Sequence, residues 1–173
     1  GMHLSPEFGN TGNTITADGF EISDEVDMTL SSDSPVAISK SIGLGMIGFA
    51  QVFSRQAPDM LLLMGDRFEF FAAASAALPF RIPVAHIHGG ELSEGAIDDA
   101  MRHAITKLSH LHFVATEPYA QRVIQLGEEP WRVTVSGAPG LDNLSNFQPL
   151  GKAELEARVG ISLATAPVVA TFH

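Results

Sequence analysis

The chain has 173 residues, 45% of them apolar, which is enough for one ordinary domain with a real core. Its formal net charge of −10 argues against the clustered Lys and Arg that nucleic acid or an anionic membrane requires, while leaving room for a nucleotide to bind locally. With no cysteine, neither a disulfide framework nor a thiolate metal site is available, so the fold does not depend on oxidation and the cytoplasm is the default compartment.

The start, Gly1-Met2, fits either a tag scar or native sequence, and it lacks the basic-then-apolar order of a signal peptide. No apolar run approaches the roughly 18 to 20 residues that a membrane span requires. Residues 1–33 carry loop chemistry and no helical periodicity. Ser34-Pro35 then supplies a cap and a first-turn proline, and the apolar stripe that follows predicts a helix to about Gln56. Met60–Met64 is a short apolar run ended by Gly65, which reads as a strand buried on both faces.

Phe68–Leu78 is an Ala-rich helix, Ile82–Ile87 a second buried strand, and Ile97, Met101, Ala104, Ile105 and Leu108 mark a helix at spacings of three and four. His112–Thr116, Pro118–Leu126 and Arg132–Val135 continue as strand, helix and strand. The order βαβαβαβ predicts an α/β fold with a parallel sheet, right-handed crossovers and helices on both faces, a three-layer Rossmann-like architecture. A short helix is expected from about Lys152 to Val159, and residues 166–172 read as a new strand ending at His173. On this pattern, residues 1–145 form a doubly wound domain lacking its first strand and helix. Residues 146–173 then hold a connection and the first strand of a further domain.

Gly43-Leu44-Gly45-Met46-Ile47-Gly48 matches the GxGxxG pattern of dinucleotide binding. That motif works only at a turn between a strand and a helix N-terminus, where backbone amides face a pyrophosphate. Here the glycines fall inside a helical stripe and read as small residues that let the helix pack closely on the sheet. No NAD or FAD is expected.

In open parallel sheets, ligands bind beyond the carboxyl ends of the strands. That rule selects Gly65-Asp66-Arg67, His86–Glu94, Thr116-Glu117 and Gly137–Gly140. Asp66 is either a cap for the next helix or a working carboxylate, and the two roles can coexist. Gly89-Gly90 reads as a tight turn, either simply exposed or letting the backbone approach a ligand with Glu91 projecting from it. Asp98 and Arg102, four apart on a helix, are either a surface ion pair or part of a site. His86 and His88 share a strand face, yet a metal needs a third ligand that no nearby motif supplies, so no metal is expected. His103, His110 and His112 read as surface or packing histidines.

Several long motifs in order carry a family resemblance: residues 1–9 (GMHLSPEFG), Gly65–Glu69 (GDRFE), AHIHGGE with EGAIDDAMRHAITKLSH, and Gly137–Asp142 (GAPGLD). Across nearly the whole chain the sequence resembles the hydrolysing UDP-N-acetylglucosamine 2-epimerases of sialic acid biosynthesis. The resemblance implies the N-terminal half of a GT-B fold, with the active site in the cleft between two Rossmann-like domains. It also implies the reaction. A base removes the C2 proton, UDP leaves C1 through an oxocarbenium-like state, and water adds at C1 of the glycal to give N-acetylmannosamine.

Carried over by motif, Asp66, Asp98 and His173 match catalytic positions, and His3, Arg67, Glu94 and Arg102 match substrate-binding ones. No cofactor is implied. Where many relatives have Glu, this chain has His88, with Glu91 three residues on, so either residue could do the acid/base work. The same resemblance leaves open a UDP-diacetamido-trideoxyhexose as substrate, or a non-catalytic piece of a GT-B glycosyltransferase. An incomplete sheet exposes an edge, and self-association into a homo-oligomer is expected.

Overall fold

The computed structural model describes residues 1–145 and 147–171. Two compact units are formed, one over Gly1–Ala138 and one from Pro139 onward. The first opens with 3₁₀ turns at Met2–Leu4 and Pro6–Phe8 and a short helix α1 (Gly12–Ala17), then runs α2 (Pro35–Gln56), β1 (Leu61–Met64), α3 (Phe68–Phe80), β2 (Val84–Ile87), α4 (Ile97–Leu108), β3 (Leu111–Val114), α5 (Glu117–Gln125) and β4 (Val133–Val135). The expectation of loop throughout residues 1–33 missed α1, which has no side-chain cap and buries nothing.

Ser34 starts α2 as expected: its Oγ accepts from the Ala37 N–H at 3.2 Å, with Pro35 in the first turn. The glycines of the GxGxxG string lie within α2, but their close contacts are not with the sheet. A Cβ on Gly45 would run into Met28 and Ala72 of α3, and one on Gly48 into Val26. By length and composition alone, α2 could cross a membrane: it has 22 residues and a mean hydropathy of 1.5 over 18 of them. This corrects the expectation that no segment comes near that size. In this fold Ala37, Ser41, Gly45 and Phe53 are buried against their neighbours, and Val36, Leu44 and Ile47 remain exposed.

The four strands are parallel and ordered β1-β2-β3-β4. Register aligns Leu63 with His86, His86 with His112, and Val114 with Val135, so Leu63, Val84, His86, His112 and Val114 share one face. There Leu63 and Val84 join Phe53, Ala73, Ala77 and Ile105 in a core cluster, while Val114 packs with Ala120 and Val123. The crossover helices α3, α4 and α5 therefore lie on that one face, as right-handed connections between successive neighbours require. On the opposite face Leu62 and Met64 are 61% and 52% exposed. β1, read as buried on both faces, is an edge strand covered on one; an apolar run of four residues does not distinguish the two.

The second unit holds a 3₁₀ turn at Pro139–Leu141, α6 (Asp142–Ser145) and α7 (Lys152–Val159), the last ending at Gly160 with φ +71. No strand forms over residues 166–171, because a strand needs a hydrogen-bonded neighbour and none of the described residues provides one. Phe172 and His173 lie outside the described residues.

Candidate active site

At the carboxyl ends of the strands, the ladder runs one step further than the strands themselves. Gly65 N–H donates to the Ile87 carbonyl at 3.0 Å and His88 N–H to that of Phe113 at 3.0 Å, which sets Gly65 beside His88. Gly65, at φ +100, turns the chain out of β1 and delivers Asp66. Asp66 does not cap α3, whose N-cap is Arg67 without a side-chain bond. Its Oδ2 instead accepts from Arg102 Nη2, and from Ser93 Oγ at 3.4 Å. Arg102, only 6% exposed, also donates to Ser93 Oγ at 3.0 Å.

Of the two readings of Asp98 and Arg102, the ion pair between them is not formed. Arg102 faces Asp66 across the sheet edge, because a buried guanidinium needs a desolvated partner more than a surface one. Ser93 N–H donates to Asp99 Oδ1 at 2.9 Å, closing the loop back onto the first turn of α4. Ser93 and Asp99 escaped the sequence reading. A carboxylate at the third helical position, able to reach back to a preceding N–H, was the available signal.

Asp98 makes no hydrogen bond or ion pair among the described residues. It lines a cleft of ≈ 580 Å³ together with Thr29, Ser32, Asp33, Arg67 and Phe68. Arg67 is held by Glu69 (Nε to Oε2, 3.2 Å) and lies 5.6 Å over the Phe68 ring. It also borders an adjoining apolar cavity of ≈ 590 Å³, and His3 lies in that cavity rather than beside Asp98, its Nδ1 2.7 Å from Thr11 Oγ1. Glu94 is exposed on the loop and is not among the residues lining the cleft. His173 lies outside the described residues.

The two glycines after β2 face protein, not an open site. A Cβ on Gly89 would stand 3.2 Å from both His86 Nδ1 and Thr106 Oγ1, and one on Gly90 (φ +80) would collide with the Tyr119 carbonyl. Arg122 donates to the Gly90 carbonyl. The ligand-approach reading of these glycines is thus replaced by packing of the loop on α4 and α5. His88, at φ +67, leaves the strand alternation, so it does not share a face with His86. Its Nδ1 sits 2.7 Å from Glu91 Oε1: the two rivals for one role are bonded to each other.

His86 is fully buried, with Nε2 2.8 Å from the Gly65 carbonyl, so Nε2 carries the proton and ties the corner before Asp66 to β2. Burial lowers its pKa from 6.5 to about 4. The unfolded chain therefore binds the extra proton first as pH falls. Stability from this group is full above pH 6.5 and is lost progressively toward pH 4, by on the order of 3 kcal/mol. Urea denaturation at pH 7 and pH 5 is expected to show the loss, and His86→Gln is expected to flatten that slope. An unchanged slope would contradict a buried neutral imidazole.

The sequence profile of UDP-N-acetylglucosamine 2-epimerase matches residues 1–173. The chain belongs to the UDP-N-acetylglucosamine 2-epimerase family. It is 45% identical over 160 residues to a UDP-N,N'-diacetylbacillosamine 2-epimerase (hydrolyzing) of Legionella pneumophila, covering 92% of this chain and 42% of that protein. It is 40% identical over 173 residues to a GDP/UDP-N,N'-diacetylbacillosamine 2-epimerase (hydrolyzing) of Campylobacter jejuni, covering 100% of this chain and 45% of that protein. Polysialic acid biosynthesis protein P7 of Escherichia coli is also 40% identical, with 100% of this chain and 44% of that protein covered. The chain thus spans less than half the length of these curated relatives.

Among solved structures, the UDP-GlcNAc 2-epimerase of Neisseria meningitidis bound to UDP-GlcNAc superposes with a TM-score of 0.70 at 21% identity, over 85% of this chain and 38% of that one. The Rickettsia bellii UDP-N-acetylglucosamine 2-epimerase gives 0.72 at 21%, over 89% and 42%. At such identity these establish the fold: the parallel α/β unit found in epimerases of the GT-B class.

Proposed function

We propose that this chain is the N-terminal part of a hydrolysing nucleotide-sugar 2-epimerase, with a second domain beginning near residue 146, and that its cleft receives the sugar end of the substrate. The observation that carries this reading is the pairing of an engaged carboxylate with a free one at the carboxyl edge of the sheet. Asp66 is locked to Arg102 and Ser93, whereas Asp98, on the cleft wall, has no partner among the described residues. Two carboxylates in different environments suit the proton removal and return that an elimination followed by hydration demands.

The cleft is poor in cations. Glu7, Asp33 and Asp98 border it with Arg67. A diphosphate would be repelled there, so the cleft suits the sugar end of the substrate and not the diphosphate. Arg102 Nε and Nη1 are buried without a partner among the described residues, at a cost of about 1–3 kcal/mol per group. Acting without a cofactor, in the cytoplasm and as a homo-oligomer complete this reading; the 173 residues alone are expected to show no turnover.

The substrate favoured by the two hydrolyzing relatives is the UDP-linked diacetamido-trideoxyhexose, released as the free 2-epimer with UDP. UDP-GlcNAc, giving N-acetylmannosamine, is the second reading, favoured by the polysialic acid protein. The full-length enzyme offered both sugars is expected to release UDP faster from the first, and Asp98→Asn to lower kcat by about 10²-fold or more. Release of a free sugar from neither, or an unimpaired Asp98→Asn, would overturn the assignment.

A further inference from the structure

We propose that His88 and Glu91 work as one unit, with His88 exchanging a proton with the sugar at C2 and Glu91 serving as its positioning residue. The inference rests on the epimerase reading for its chemistry and on the structure alone for the unit itself.

The backbone comes first. His88 adopts φ +67, a left-handed conformation that is unfavourable for a non-glycine residue. Strain of this kind persists only where the surroundings impose it, and here they do so from three sides. The His88 N–H is committed to the Phe113 carbonyl, Gly89 is packed against His86 and Thr106, and Gly90 is packed on α5, whose Arg122 holds its carbonyl. Continuing the strand geometry instead would send His88 to the face that His86 occupies. The turn re-aims it, still beside Gly65 at the corner that delivers Asp66.

The side chain follows. A carboxylate oxygen only accepts, so Nδ1, 2.7 Å from Glu91 Oε1, is the protonated nitrogen. In the neutral ring that leaves Nε2 as an acceptor, and it has no partner among the described residues. The pair is accessible, with 24% and 27% of the two side chains exposed. Two other groups at this edge are committed, and Asp98, without a partner among the described residues, is left for the return of the proton. Asp66 is held by Arg102 and Ser93, and His86 spends its Nε2 proton on the Gly65 carbonyl, buried and well below its ordinary pKa. In the step itself the C2–H proton passes to Nε2, and the electron pair forms the C1=C2 bond. The C1–O bond to the diphosphate breaks, UDP leaving with those electrons. The resulting imidazolium keeps its Nδ1–H on Glu91, which orients the ring and stabilises its charge.

The test has two arms. In ¹⁵N-histidine spectra of the neutral ring, His88 is expected to show Nδ1 protonated and Nε2 bare, and Glu91→Gln to lose that preference. A ring protonated at Nε2 in the unaltered protein would overturn the unit whether or not any sugar is turned over. In full-length enzyme, His88→Asn, chosen because asparagine tolerates the left-handed backbone, is expected to lower kcat by about 10²–10⁴-fold with KM changed only a few-fold. Glu91→Gln is expected to lower kcat at least about 10-fold, and the double variant to be no slower than His88→Asn. His88→Gln, checked for native circular dichroism, repeats the measurement in a second side chain. Multiplicative losses in the double variant, or full activity in either His88 variant, would overturn the proposal. Absence of turnover in the unaltered enzyme would instead strike the epimerase reading.

Discussion

Arg102→Met is expected to destabilise the first unit by about 3 kcal/mol, the lower end of the 3–5 kcal/mol typical of breaking a buried ion pair. The reason lies less in the lost attraction than in what is left behind. Arg102 is 7% exposed in its side chain and Asp66 20%, so removing the guanidinium strands a carboxylate in a poorly hydrated corner with only Ser93 to meet it. The residual exposure of Asp66 places the value at the lower end. Asp66→Asn in the same chain takes away the stranded charge, and the double variant is expected to recover more than half of the loss. A double-mutant cycle by urea denaturation reads this directly. Additive losses would mean that the two residues act independently, and that the corner is not organised around them.

Gly90→Ala is expected to cost the fold at least as much, about 3 kcal/mol or more, and to lower the Tm by roughly 10 °C or more. Two penalties coincide. The residue sits at φ +80, where a Cβ is strained whatever the space, and the Cβ would meet the Tyr119 carbonyl, which is helix backbone and cannot swing aside. Gly95, also at positive φ (+79) but with open space around it, is the control. Gly95→Ala pays only the backbone strain and should cost no more than about 1–2 kcal/mol. Equal effects at the two positions, measured by thermal denaturation, would show that the collision is absent.

Much of the fold could be read from the chain because its signals are local. Ser34-Pro35 marks the start of α2, the three-and-four spacing from Ile97 bounds α4 at Ile97–Leu108, and α7 occupies Lys152–Val159 as expected. What could not be read depends on neighbours. Leu61–Met64 looks the same whether a strand is central or at an edge, and only the register shows Leu62 and Met64 open. The site divides in the same way. Position and motif single out Asp66, His88, Glu91, Asp98 and Arg102 as candidates, but do not say which of them are bonded to which. Helical spacing pairs Arg102 with Asp98, whereas the structure pairs it with Asp66, 36 residues away. The left-handed turn at His88, which brings it to Glu91, has no signature in a histidine codon; the two glycines after it were the only hint, and their packing role needed coordinates.

The steady strand order has a kinetic side. Leu61 pairs with Val84, Ala85 with Leu111 and His112 with Val133, so each new strand docks on the one made just before it. Contacts of such short reach lower the entropic cost of loop closure and favour rapid assembly. The sheet can grow one strand at a time in the direction of synthesis, and the Asp66–Arg102 corner can close once α4 has formed, before β3 and β4 are in place. A chain built this way would have this edge of the sheet half assembled while the remainder is still on the ribosome.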